Sequence, residues 1–151
     1  HNLIEAFKST LEEAKYADLI LHVVDMSNPQ MDEQMYVTYE TLENLGVLNK
    51  TVITVFNKCD KAEPGTLIRD FKSDARVTVS ARTGENIPKL LDMLEEWSRG
   101  RNMEIRRVYP YSEAGKIQII RAYGEVLKED YREEGIYVEG SIPKELYGKV
   151  N

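Results

Sequence analysis

Cysteine, histidine and tryptophan are scarce in this chain: Cys59 stands alone, beside two histidines and one tryptophan. A lone cysteine forms no internal disulfide, so the fold owes nothing to an oxidising compartment. With one Cys and two His, no zinc-ligand pattern exists, and no metal site is expected. Long apolar runs are missing as well. The longest, Leu19–Val24, is broken by His22 and falls well short of the ~20 residues of a membrane-spanning helix. No stretch joins a basic start to a long apolar segment, so the sequence predicts no signal peptide. Positive charge is in deficit, with 20 Lys+Arg against 26 Asp+Glu and a net charge of −6. Residues 1–100 hold 11 basic and 17 acidic residues, and residues 101–151 hold nine of each. Neither half carries the basic surplus that sequence-independent nucleic-acid binding needs. Nine glycines and five prolines are scattered, with no repeat and no low-complexity tract.

What is present is the composition of a globular protein. The 151 residues are 42% hydrophobic and 30% charged, enough apolar content for a core. Asn2 and Glu5 form a capping-box pattern, and Leu3, Phe7, Leu11 and Ala14 follow at helical spacing. Ala17–Asp25 then reads as a strand buried on both faces, as in a parallel sheet. After the loop Ser27-Asn28-Pro29, Asp32 is expected to cap a helix with Met35, Tyr39, Leu42 and Leu45 on one stripe and Gly46 at its end. Thr51–Phe56 and Arg76–Ser80 are further strand-like runs. Asn86–Ser98 is the clearest helix, with Ile87, Leu90, Leu91, Leu94 and Trp97 at core spacing and Gly100 expected to close it. Helix–strand alternation of this kind predicts an α/β layer structure with parallel strands.

After Gly100 the pattern changes. Met103–Tyr109 reads as a strand. Ser112 is expected to cap a helix carrying Ile117, Ile120 and Tyr123 and stopped by Gly124. Val126–Arg132 and Ile136–Ile142 read as two strands, the second with Ile136, Val138 and Ile142 inward. The result is a β-α-β-β unit with an antiparallel sheet.

The chemistry sits in Asn57-Lys58-Cys59-Asp60, directly after a predicted buried strand. Ligands of α/β sheets bind at the carboxyl ends of strands. The Asp60 carboxylate offers two acceptors in one plane, and guanine offers two donors at matching separation: its ring N–H and its exocyclic amino group. Adenine presents an acceptor at the ring position and lacks that amino group, so it leaves the carboxylate unpaired. A hydrogen bond to a charged group is worth ~1.5–3 kcal/mol net, which makes the difference selective. The Lys58 stem can lie on the base while its ammonium stays hydrated. Asn57 is suited to bridging neighbouring loops. Ser80-Ala81-Arg82 follows the next strand, where a backbone N–H can donate to the guanine carbonyl oxygen and the Ser80 hydroxyl can brace Asp60 or the turn. Asn-Lys-x-Asp is also ordinary turn chemistry. Two such elements at the ends of successive strands, with Gly84-Glu85-Asn86 opening a helix behind, favour the base-binding reading.

These residues resemble the translation-factor-related GTPases. Asn57-Lys58-Cys59-Asp60 resembles their NKxD motif, and Ser80-Ala81-Arg82 their SAK motif, with Arg82 in place of the usual lysine. Leu3–Glu13, Ala17–Asp25 and the tail from Tyr109 to Val150, with Gly124-Glu125-Val126 and Gly135-Ile136-Tyr137-Val138, are similar to the HflX family in particular. The resemblance implies the C-terminal half of a P-loop GTPase sheet, three parallel strands with helices, followed by a small α+β domain. It divides the chain into a partial G domain over residues 1–100 and an HflX-like domain over residues 101–151. Asn57, Lys58, Asp60, Ser80, Ala81 and Arg82 become the nucleotide-binding residues. GTP or GDP is the implied cofactor, with magnesium in the intact protein only. The implied partners are a guanine nucleotide and the large ribosomal subunit, with no membrane, and the implied location is cytoplasmic.

Phosphate chemistry is expected to be missing. The two Gly-Lys pairs, Gly115-Lys116 and Gly148-Lys149, are followed by Ile117 and Val150, and neither has Gly five residues earlier. No G-x-x-x-x-G-K-[ST] or D-x-x-G is therefore present. The chain is expected to keep base recognition without hydrolysing GTP, to bind no nucleotide tightly, and to contribute no catalytic residue. In the resembled strand order, 2-3-1-4-5-6, Leu19–Asp25 lacks its inner neighbour. An exposed apolar edge templates pairing with another chain, so self-association through Leu19–Val24 is expected. The alternative is a non-catalytic module whose tail docks on the ribosome or another protein. Cys59 is read as a small packed residue and His22 as a satisfied core histidine. The tail tyrosines are read as core and rim of the small domain, with a contact surface as the sharper alternative.

Overall fold

A computed structural model describes residues 9–151. The capping box at Asn2 and Glu5, together with Leu3 and Phe7, lies outside the described residues. The first described segment is helical over residues 9–11 and continues as a 3-10 turn over Glu12–Tyr16. The chain divides into two compact units between Leu91 and Asp92.

The first unit is a parallel three-stranded sheet in the order β1-β2-β3: β1 Leu19–Asp25, β2 Thr51–Asn57 and β3 Ala75–Thr78. Helix α1, Met31–Asn44, links β1 to β2. Its stripe of Met31, Met35, Tyr39 and Leu42 is buried against Ile20 and Val24 of β1 and Val52 and Phe56 of β2. Each such side chain taken from water contributes ~1.5–3 kcal/mol, so this layer is the main cohesive element of the unit. Asp32 does not cap the helix. It lies in the first turn, and the preceding loop is set instead by Asn28, whose side-chain oxygen accepts the Gln30 amide at 2.9 Å. Gly46, at φ +69°, takes the left-handed conformation that ends α1.

β2 is buried on both faces from Val52 to Phe56, as a central parallel strand should be. β1 departs from its expected burial on both faces. Ile20, His22 and Val24 are buried, while Leu21 and Val23 are 41% and 61% exposed. Among the described residues β1 pairs with β2 alone, which makes it an edge strand; its Leu21 and Val23 face is also left partly uncovered.

Helix α2, Ile87–Arg101, shows the same incomplete cover. None of its residues is buried, and Leu91 is 58% exposed. Gly100 does not close it, since the helix runs through Arg101 directly into the next strand.

The second unit is an antiparallel sheet in the order β4-β6-β5, built from β4 Asn102–Tyr109, β5 Glu125–Arg132 and β6 Gly135–Pro143. Helix α3, Ala114–Tyr123, and a short helix α4, Lys144–Val150, complete it. Ile136, Val138 and Ile142 point into a core with Ile105, Tyr109, Ile117, Ile120 and Val150. Ser112 does not cap α3; it lies in the 3-10 turn Tyr111–Glu113 that leads into the helix. Tyr123 is 65% exposed, at the rim of this unit. α4 adds a helix to the expected β-α-β-β pattern and is pinned by Tyr109, whose hydroxyl donates to the Val150 carbonyl at 2.8 Å.

Candidate functional site

The carboxyl ends of β2 and β3 carry all six residues singled out from the sequence. Asn57 is the last residue of β2. Lys58 follows in the left-handed conformation (φ 66°, ψ 36°), which turns the chain sharply out of the strand. Cys59–Lys61 then form a single 3-10 turn. Asn57 ties this turn to the loop after β3: its Oδ1 accepts the amides of Lys58 (2.8 Å) and Ala81 (3.0 Å). The Cys59 amide donates to the Val79 carbonyl at 3.1 Å, a second stitch between the same loops.

Ser80 is the best-packed member of the set, fully buried. Its hydroxyl donates to Asp60 Oδ1 at 2.9 Å and accepts the Thr83 amide at 3.1 Å. Both braces open to the Ser80 hydroxyl, to Asp60 and to the turn, are therefore present. The first fixes the plane of an exposed carboxylate while leaving that carboxylate with free acceptor capacity, since each oxygen has two lone pairs. Gly84 (φ +82°) and Asn86 (φ +58°) shape the loop behind, where the Gly84 amide donates to the Ser80 carbonyl at 2.8 Å. Ala81 and Arg82 are exposed, but the Ala81 amide already serves Asn57. Arg82 makes no hydrogen bond or ion pair among the described residues.

Lys58 reaches sideways. Its ammonium donates to Asp25 Oδ2 at 2.7 Å, at the end of β1. The Lys58 hydrogen bond, followed by the Ser27 hydroxyl, lowers the Asp25 carboxyl to about 2. Asp25 was not among the expected site residues. A signal for it exists: it ends an apolar run, so it shares the strand-end layer with Asn57, its register partner.

The loop joining the Cys59–Lys61 turn to β3 is anchored from below. Asp70, 7% exposed, accepts hydrogen bonds from the Tyr39 hydroxyl (2.6 Å) and the Thr54 hydroxyl (2.5 Å) on Oδ2. Its Oδ1 accepts the amides of Lys72 (3.0 Å) and Ser73 (3.1 Å). Burial pushes the Asp70 carboxyl up, but these four donors outweigh it and leave the group below its ordinary value. His22 packs edge-on against the Tyr39 ring at 4.9 Å. It is core, as expected, but not satisfied: its Nδ1 has no hydrogen-bond partner among the described residues. Burial lowers its pKa, opposed by Asp70, so it stays neutral. Burial first, then the Glu85 carboxylate, raises the Cys59 thiol, which keeps it protonated and poor as a nucleophile.

The described residues hold no cluster of three or more His, Cys, Asp or Glu side chains able to bind a metal ion. No helix among them is long and apolar enough to cross a membrane.

No protein-family model matches the chain. Curated relatives do. A protein named GTPase HflX from Lacrimispora saccharolytica is 57% identical over 150 residues, covering 99% of this chain and 36% of the relative. One of the same name from Chlamydia pneumoniae is 37% identical over 151 residues, covering 99% of this chain and 32% of its own. Another, from Escherichia coli, is 35% identical over 99 residues, 64% of this chain and 23% of its own. The chain thus spans about a third of the length of the first two relatives. Over essentially all of its 151 residues, the chain belongs to the HflX family.

Proposed function

We propose that this chain is the guanine-recognition part of an HflX-type GTP-binding protein. Asn57, Lys58, Asp60, Ser80, Ala81 and Arg82 form the base seat, in a partial G domain of residues 1–100 followed by a tail domain of residues 101–151. One observation carries the reading: an exposed carboxylate, Asp60, held in a fixed plane by the buried Ser80 at the ends of adjacent parallel strands. Two in-plane acceptors match the two donors on the guanine edge. Because Asn57 holds the Ala81 amide, that donor reaches a guanine carbonyl oxygen only by being shared or released.

GTP hydrolysis and magnesium binding belong, in this reading, to the longer protein, because the chain has no glycine-rich phosphate loop and no D-x-x-G. Base contacts alone must then offset the cost of immobilising a nucleotide, so GDP and GTP bind weakly to these residues. Calorimetry with GDP and GTP tests this; micromolar affinity for either refutes it. The cytoplasm is the proposed location.

Two surfaces suggest partners. The exposed Leu21 and Val23 on edge strand β1 favour self-association through Leu19–Val24. Light scattering at high concentration tests it, and a clean monomer counts against it. The separate core of the second unit, with Tyr123, Leu127 and Tyr131 each at least 65% exposed, favours a second reading in which the tail docks on the large ribosomal subunit. Co-sedimentation with ribosomes, with and without residues 101–151, separates that reading from the first.

A further inference from the structure

The geometry points to Asp25 as the residue that positions Lys58 for base binding, an assignment that rests on the guanine reading above. Asp25 closes β1 opposite Asn57, and the Met26 amide extends the ladder by donating to the Asn57 carbonyl at 3.0 Å. The two strand ends are thus rigidly paired. Ser27 donates both its amide (3.0 Å) and its hydroxyl (2.6 Å) to Asp25 Oδ1. Those two bonds fix the carboxylate and leave Oδ2 for the Lys58 ammonium at 2.7 Å.

Lys58 is therefore held at both ends. Its backbone is set in the left-handed conformation, with its amide on Asn57 Oδ1, and its tip is tied to the neighbouring strand. The aliphatic stem between those points spans from the end of β2 to the end of β1, in a side chain that is 48% exposed as a whole. An apolar rail in that position suits the flat face of a purine. Ordering a lysine side chain costs rotamer entropy, and pre-ordering by Asp25 removes that loss from the binding step. The pairing also neutralises the ammonium, which is then not offered to a phosphate. Because the Lys58 and Ser27 hydrogen bonds hold Asp25 down to about 2, its carboxylate is ionised across the neutral range.

The test titrates the isotopically labelled chain with guanosine, adenosine and GDP, read by NMR. The unaltered chain is expected to favour guanosine over adenosine and to bind GDP and guanosine with similar affinity. Asp25→Asn keeps the size of the side chain and an acceptor for Ser27 but removes the charge. Guanosine affinity then falls about threefold to fivefold, the scale of a half-exposed ion pair. GDP loses less, because the freed ammonium can turn to its phosphates, so the GDP-to-guanosine affinity ratio rises. Asp25→Glu keeps the charge and holds the ratio near its original value. A purely structural defect weakens both ligands equally, so an unchanged ratio in Asp25→Asn overturns the assignment alone. No preference for guanosine over adenosine in the unaltered chain overturns the guanine reading and the assignment together. Should Asp25→Asn fail to fold, Ser27→Ala, which loosens the same carboxylate, is expected to move the ratio in the same direction by less, and no movement counts against Asp25.

Discussion

Replacing Ser80 by alanine removes one oxygen atom and cuts two links at once. The hydroxyl is fully buried, donates to Asp60 at 2.9 Å and accepts the Thr83 amide at 3.1 Å. A neutral hydrogen bond is worth about 1 kcal/mol net, and one to a charged group about 1.5–3 kcal/mol. Asp60 and Thr83 are both exposed, so water replaces part of what each loses. The expected loss of stability is therefore at the low end, about 1–1.5 kcal/mol. For a chain of this size that lowers the melting temperature by about 2–6 °C. The effect on recognition is more specific. Without its brace the Asp60 carboxylate rotates freely, and ordering it on binding costs about 1 kcal/mol, roughly a fivefold loss in guanosine affinity. Thermal melting gives the first number, and NMR titration with guanosine gives the second. Hydrogen exchange at the Thr83 amide reports the broken contact directly and is expected to lose protection. Unchanged Thr83 exchange together with guanosine affinity within twofold of the original refutes this account of Ser80.

The anchor beneath the site makes further predictions. Tyr39→Phe removes the hydroxyl that donates to buried Asp70 at 2.6 Å while leaving the ring in place. Asp70 keeps Thr54 and two amides, so the expected loss is about 1.5–2 kcal/mol, measured by urea denaturation. A change under about 0.5 kcal/mol means the hydroxyl is not an anchor. Acid should destabilise the chain in a defined window. Asp25 and Asp70 both have folded values below their ordinary 3.8, so their contribution is fully present above that pH. It is lost as pH falls through the folded values, for Asp25 about 2. Urea midpoints measured from pH 5 to pH 2 are expected to drop, and Asp70→Asn to flatten that drop; a midpoint equally pH-dependent in both proteins contradicts the role given to Asp70.

Much of the fold is legible in the sequence where burial follows local pattern. The β-branched run of β2, the stripe of α1 and the alternation of β6 each report a face that is in fact covered. Pattern fails where cover depends on what lies alongside. Leu21 and Val23 belong to a run that reads as doubly buried, yet their face of β1 is left partly uncovered. Ile87, Leu90, Leu94 and Trp97 keep helical spacing without any of them becoming buried. Amphipathic spacing records that a face can be covered, not that it is. Helix α4 is short, follows Pro143 and contains Gly148, so propensity alone does not announce it; Val150 in the core and the Tyr109 hydroxyl hold it. The six candidate site residues adjoin strand ends, a placement the sequence pattern indicates. Asp25 also ends a strand, but its link to Lys58 crosses 33 residues and follows only from the pairing of β1 with β2.

Base exchange at Asp60 puts the guanine assignment at stake most plainly. Xanthine replaces the exocyclic amino group of guanine with a carbonyl oxygen, so it presents one donor and one acceptor on the edge where guanine presents two donors. A carboxylate matches guanine; an amide, with one acceptor and one donor, matches xanthine. Titration of the chain and of Asp60→Asn with guanosine and xanthosine is expected to show guanosine preferred by the first and xanthosine by the second. A reversal of at least about tenfold in the ratio corresponds to one exchanged hydrogen-bond pair of about 1.4 kcal/mol. An unchanged ratio contradicts the placement of guanine on Asp60.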